Sequence, residues 1–210
     1  MNPTRIRLLL GFLLFALLVG GPYAYSRHRQ AHFRNFRVVE EGKLYRSGQL
    51  SPAALEQTIE EYGIRTVISL RFAAKGEEAP PDLWEEALCQ NHGVRYVRIR
   101  PQTWAADADG QIPADQPVSE FLTVMKDNAV YPALIHCYAG MHRTGSYCAL
   151  YRMEHQGWSN ADAMAELKTL GYKNLDKEDD VQGYLDGFVP TWKRAKKTEP
   201  APSCQPSHSR

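Results

Sequence analysis

LIHCYAGMHRTG, residues 134–145, decides the reading of this chain. It leaves a short apolar segment, PALIHC (132–137), with the character of a buried strand. It then turns through a glycine-bearing loop into a helix that begins near Thr144 and runs to about Gln156, where Gly157 stops it. Strand, tight loop and helix start, in that order, form the unit from which open parallel sheets bind ligands beyond the C-terminal ends of their strands. Backbone N–H groups of such a loop, with the helix N-terminus behind them, make a cradle for anions. Gly140 lets the loop curve closely, and Gly145 falls in the first helical turn. Cys137 stands at the strand's end, where the helix start and Arg143 both favour its thiolate form. Arg143 brings a fork of donors matched to two phosphoryl oxygens, and Thr144 adds a hydroxyl. Nucleophile, anion site, clamp and hydroxyl are together the parts of a nucleophilic phosphate site. Cys-x5-Arg by itself recurs by chance; the flanking His136, the central glycine, Thr144 and the strand-loop-helix setting make coincidence rare.

Upstream of this loop, strands and helices alternate. FRVV and KLYRS flank Glu40-Glu41-Gly42, which predicts a short hairpin. Ser51-Pro52 reads as an N-cap with proline at the first helical position, followed by AALEQTIEEY and a stop at Gly63. IRTVISLR (64–71) has the β-branched, apolar character of a buried strand. A helix over 82–93, a strand over 94–100, a long loop over 101–116 and a third helix over 117–128 complete the approach to Cys137. Downstream, Ser159 caps a helix from residue 160, and a last one covers about 179–188. This order predicts one α/β domain over residues 35–190, with a central, mainly parallel sheet flanked by helices. Loops as long as 101–116 are uncommon unless they serve function.

The ends differ from the middle. Arg5 and Arg7 precede LLLGFLLFALLVGGPYAY (8–25), a stretch without charge that predicts an N-terminal transmembrane helix, with residues 1–30 as a single-pass anchor. A cleaved signal segment is the rival reading. The arginines flanking the stretch lean toward a cytoplasmic body. Residues 191–210, rich in Lys, Pro and Ser, predict a disordered tail. Net charge is +1, so no nucleic-acid partner is expected. The four cysteines, Cys89, Cys137, Cys148 and Cys204, show no metal-ligand spacing; Cys89 and Cys148 read as small buried hydrophobes.

His136-Cys137-x5-Arg143-Thr144-Gly145 resembles the phosphate-binding loop of the cysteine-dependent protein tyrosine phosphatase superfamily, and the compact size resembles its dual-specificity branch. FRVVEEGKLYRSGQLSP, IRTVISLR and HCYAGMHRTG together resemble small bacterial dual-specificity-like phosphatases and the plant and fungal atypical phosphatases acting on inositol pyrophosphates. The resemblance implies that Cys137 attacks phosphorus to form a phosphocysteine, while residues 138–143 (Tyr138, Ala139, Gly140, Met141, His142 and Arg143) bind the phosphate. It implies that His136 orients the loop and that the Thr144 hydroxyl assists hydrolysis by water. An aspartic acid about thirty residues upstream would be the general acid: Asp107 stands first and Asp109, beside Gly110, second. Asp115 reads instead as a cap of the third helix. No metal or organic cofactor is implied. The expected partners are a phosphorylated protein or small phosphorylated molecule, and a membrane through the N-terminal segment. Where inositol-phosphate members carry a lysine within the loop, this chain has Met141. Tyr138, His142, Trp104 and Phe72 are candidates for an aromatic wall, and Arg46, Ser47 and Gln49 match the relatives' YRSGQ stretch without an assigned role. A non-catalytic phospho-binding protein is the alternative from another class.

Overall fold

The computed structural model describes residues 3–23, 27, 33–73, 76 and 78–198. Two compact units emerge: Met1–Arg100 with Asp127–Thr144, and Pro101–Lys126 with Gly145–Arg210.

The first unit is built on a five-stranded sheet of order β1-β2-β5-β3-β4. β1 (Arg37–Glu40) and β2 (Leu44–Ser47) form the expected antiparallel hairpin, with a register shift between Val38 and Glu40. β5 (Ala133–His136) lies between β2 and β3 (Thr66–Ser69), parallel to both, and β4 (Arg95–Arg98) runs parallel to β3. Every residue of β2, β3 and β5 is buried, as expected of a sheet covered on both faces. The register aligns Ser47, His136, Ser69 and Arg98, so four parallel strands end level with the residue before Cys137.

Helix α2 (Pro52–Tyr62) starts as its sequence predicts. The Ser51 hydroxyl accepts the Ala54 N–H, and Gly63 closes the helix in the left-handed region at φ 60°. Leu55 and Ile59 from α2, Cys89 from α3 (Leu83–Asn91), and Val67 and Leu134 from the sheet share one core cluster. Full burial of such an aliphatic side chain stabilises by roughly 1.5–3 kcal/mol, so this layer fixes the sheet that carries the loop.

The second unit contains α4 (Asp115–Val124), α5 (His142–His155, apart from its first turn), α6 (Asn160–Thr169), α7 (Asp179–Gly187) and α8 (Thr191–Thr198). Tyr147 is fully buried, edge-on to Phe121 and to Trp104. Ser159 caps α6 as predicted, and the Asn160 side-chain amide donates to the carbonyls of Leu185, Asp186 and Phe188 around the end of α7.

Two expectations are corrected, and a third is met only in part. Residues 191–198 of the predicted disordered tail form α8: the Trp192 indole donates to the Met153 carbonyl and Glu154 receives both the backbone N–H and the hydroxyl of Thr191. Residues 199–210, Cys204 among them, lie outside the described residues. Asp115 is not the cap of α4. It is the helix's first residue, behind a helical Ala114, and its carboxylate accepts the Tyr184 hydroxyl. Over 8–23, the described part of 8–25, the expected single α-helix is divided: α1 (Pro3–Phe15) gives way to a π-helical turn at Ala16–Gly20. At the usual rise α1 spans about 20 Å, and among the described residues no helix is long and apolar enough to cross a membrane.

Candidate active site

β5 ends at His136, and Cys137 follows it into the loop, 5% exposed. Three consecutive carbonyls of this loop are tied by residues outside it. Tyr138 O accepts the backbone N–H of Gln49 at 3.0 Å, Ala139 O accepts the Asn35 side-chain amide at 2.8 Å, and Gly140 O accepts Nη2 of the buried Arg46 at 2.7 Å. In a trans peptide the C=O of one residue and the N–H of the next point in opposite directions. Holding these carbonyls outward therefore turns the amides of Ala139, Gly140 and Met141 the other way. The Gly140 N–H accordingly donates to Cys137 Sγ at 3.2 Å. Such a row of amides is an anion site.

The same contact explains two glycines. A Cβ on Gly140 would stand 2.3 Å from the Gly48 backbone nitrogen, and one on Gly48 would stand 2.8 Å from the Tyr138 carbonyl oxygen. Gly140 also needs φ 73°, a region a side chain resists. The loop after β2 and the loop after β5 thus meet backbone to backbone.

Arg143 lies in the first turn of α5, with its guanidinium 4.8 Å from the centre of the Phe72 ring and Nη1 3.5 Å from the Leu70 carbonyl. His142 is exposed and Met141 half-buried. Thr144 is fully buried, and its hydroxyl, like that of Ser47, has no hydrogen-bond partner among the described residues. A dry hydroxyl without a partner is costly unless something visits it. Exposed Tyr138 carries two cations: the Arg34 guanidinium lies 4.1 Å and that of Arg71 5.2 Å from its ring centre. The hydrogen bond and charge of Arg34, with a smaller contribution from Arg71, hold the Tyr138 phenol below its ordinary pKa.

Behind the loop is a buried polar network. His136 Nε2 is 2.9 Å from Glu85 Oε2, both side chains 1% exposed, although the contact is not aligned as a hydrogen bond. Glu85 also receives Tyr96 and Gln49, and Asp82 receives Ser69, Tyr96 and Arg98. Burial disfavours the Asp82 carboxylate, but the bonds from Ser69, Arg98 and Tyr96 outweigh it and hold its pKa below the usual value. Ligand atoms of Asp82, Glu85 and His136 come within 4.8 Å of one another, a spacing a metal ion can bridge. Here Arg98 already supplies the positive charge. Cys89 is buried in the core, where desolvation pushes its thiol up to about 12, and so behaves as the inert hydrophobe expected. Cys148 is buried in the second unit.

Cys137, Arg143, Thr144, His136 and residues 138–142 therefore belong to one unit, along the end of β5, the loop after it and the first turn of α5. Asp107 and Asp109 lie in the other unit, in a turn of its own. Asp107 Oδ1 accepts the N–H groups of Asp109 and Gln111, and its carbonyl accepts that of Gly110, which has φ 74°. Trp104, from the same segment, packs edge-on to Tyr147 and Tyr184. The residues that sequence reasoning left without a role are Asn35, Arg46, Gly48, Gln49 and Glu85. The YRSGQ stretch was their only signal; Asn35 and Glu85 had none.

The fold and this loop define the class: the chain belongs to the cysteine-dependent protein tyrosine phosphatase superfamily, within the family described as DSP-PTPase phosphatase fused to NAD+ kinase, whose model matches residues 26–183. It is a phosphatase of the dual-specificity type. It is 26% identical to the dual specificity protein phosphatase TpbA of Pseudomonas aeruginosa (strain UCBPP-PA14), over 87% of this chain and 80% of TpbA. Its fold is shared by the core catalytic domain of the PP-IP phosphatase SIW14 from S. cerevisiae (TM-score 0.59, 21% identity, 79% of this chain and 93% of that one). It is also shared by a variant of P. aeruginosa TpbA in complex with pTyr (TM-score 0.57, 21% identity, 79% and 92%).

Proposed function

We propose that residues 35–190 hydrolyse phosphomonoesters through a phosphocysteine on Cys137. The observation that carries this reading is the row of loop amides turned away from their anchored carbonyls, with the Gly140 N–H on Cys137 Sγ. The thiolate attacks phosphorus, an S–P bond forms as the P–O bond breaks, and the leaving oxygen takes a proton from Asp107. Water then attacks the phosphocysteine, the S–P bond breaks and inorganic phosphate leaves. Arg143 and the loop amides hold the equatorial oxygens throughout. The unpartnered Thr144 hydroxyl is free to stabilise the departing sulfur. His136, braced by Glu85, holds the start of the loop. Arg143 and the amides carry the charge, so the chemistry requires neither metal nor organic cofactor.

TpbA's complex with pTyr and its dual-specificity name support a phosphorylated protein as substrate, and the SIW14 description keeps a small phosphorylated molecule in view. Asp107 is named as the acid on its sequence spacing from Cys137. Residues 1–30 are the membrane anchor, with the body on the cytoplasmic side. The support is the uncharged stretch and the exposure of Leu10, Phe12, Leu13, Leu14, Phe15, Leu17 and Leu18. The test is hydrolysis of p-nitrophenyl phosphate by the full chain. Turnover blocked by vanadate and unaffected by a chelator is expected, and turnover that requires a metal ion sinks the mechanism.

A further inference from the structure

Tyr138 follows the nucleophile, and over half of its surface is exposed. Arg34 and Arg71 come from distant parts of the first unit, yet both guanidiniums lie on this one ring. They stand no further apart than the sum of their two distances from it, comparable to the screening length of physiological salt, so their repulsion is felt. Cation–π attraction at an exposed ring offsets only about 0.5–1 kcal/mol for each. Among the described residues neither arginine has a carboxylate partner. Among the described residues the Arg71 guanidinium donates to the Gln49 side chain through Nη1 alone, which leaves most of its fork for a ligand. The nearby carboxylates do not compensate the pair, because Asp82 and Glu85 are buried and engaged by Ser69, Tyr96, Arg98, Gln49 and His136.

The pair is joined to the phosphate clamp. Arg71 and Phe72 are neighbours in sequence; Arg71 reaches the Tyr138 ring, and Phe72 carries Arg143 and, at 5.3 Å, Arg100. The loop offers Met141 and no lysine, so the spare positive charge stands beside the loop and not within it. A single phosphoryl group on the amides and Arg143 leaves Arg34 and Arg71 unused.

We propose that Arg34 and Arg71, gathered on Tyr138, form a second anion subsite that takes a second phosphoryl group of a multiply phosphorylated substrate. The subsite rests on the reading of Cys137 and Arg143 as the first phosphate site. It selects substrates by charge beside the scissile group.

The experiment compares orthophosphate with pyrophosphate as competitive inhibitors of p-nitrophenyl phosphate hydrolysis by the full chain. Pyrophosphate is expected to bind about tenfold more tightly, because only it reaches both sites. In Arg34→Gln with Arg71→Gln the ratio of the two inhibition constants falls toward one. Using the ratio cancels any general loss of activity. Arg34→Gln alone removes a side chain that, among the described residues, touches Tyr138, and it lowers the ratio partway and serves if the double variant does not fold. A ratio near one in the natural chain, or a ratio unchanged in Arg34→Gln, overturns the subsite. Absence of turnover is a failure of the phosphatase reading alone; calorimetric titration of the same two anions then decides the subsite. A doubly phosphorylated peptide and inositol hexakisphosphate, each tested against both chains, identify the source of the second group as the one whose inhibition the substitutions weaken.

Discussion

The loop Cys137–Arg143 and the segment Pro101–Ala114 each hold part of the proposed chemistry, and they are built in opposite ways. The first is braced by residues roughly a hundred positions away, with Asn35, Arg46 and Gln49 each tying one carbonyl. The second is braced largely by itself: Asp107 gathers the amides of Asp109, Gly110 and Gln111, and the Ala114 N–H returns to the Thr103 carbonyl. A nucleophile and its anion site need fixed positions before substrate arrives. A proton donor needs only to be present at the moment of transfer, which a self-contained turn permits.

Substitutions can break or sharpen this contrast. Cys137→Ser is expected to remove turnover by at least about 10⁴-fold while leaving the fold and vanadate-type anion binding in place; aryl phosphate kinetics and a thermal melt read both. Retained turnover would end the phosphocysteine mechanism. Gly140→Ala attacks the bracing itself. The clash with Gly48 and the positive φ together cost roughly 3 kcal/mol, seen as a lower midpoint in urea along with lost activity. In the self-braced segment, Asp107→Asn is expected to slow an alkyl phosphate by about 10²-fold and p-nitrophenyl phosphate much less, since the latter leaves without help. The thermal midpoint should move little. Should Asp109→Asn produce this pattern instead, the acid is Asp109.

The smallest effect concerns the network behind the braced loop. Asp82→Asn is expected to destabilise by about 2 kcal/mol, because Arg98 loses its buried partner. Its pH dependence has a definite sign. The folded pKa of Asp82 lies below the ordinary 3.8, so its contribution is complete above that value and disappears as pH falls through the lower one. Acid unfolding of the natural chain should therefore be steeper between pH 4 and the folded pKa than that of Asp82→Asn, measured by circular dichroism.

What was legible in the sequence was local. Ser51-Pro52 and Gly63 declare α2 because a cap and a stop act within a few residues. HCYAGMHRTG declares its loop because nucleophile, clamp and hydroxyl sit side by side. Arg46 was opaque for the opposite reason, as its role is a bond to a carbonyl 94 positions away. Likewise, Asp115 reads locally as a cap, but the helix starts from Ala114 and the carboxylate meets Tyr184, 69 positions on. α8 has the composition of a solvated tail and is held through Thr191 and Trp192 by Glu154 and Met153. The π-helical turn at Ala16–Gly20 departs from a hydropathy pattern that cannot distinguish one helical winding from another.

The contact between Gly48 and Gly140 bears on what it means to transplant this site. Engineers commonly treat a signature loop as a portable cassette. Here the peptide that binds phosphate takes its shape from a second peptide encoded ninety-odd positions earlier, and each leaves room for the other only by lacking a side chain. The smallest movable part is therefore a pair, YRSGQ with HCYAGMHRTG, together with Asn35. Grafting the second half alone would carry the reactive residues without the geometry that makes them react.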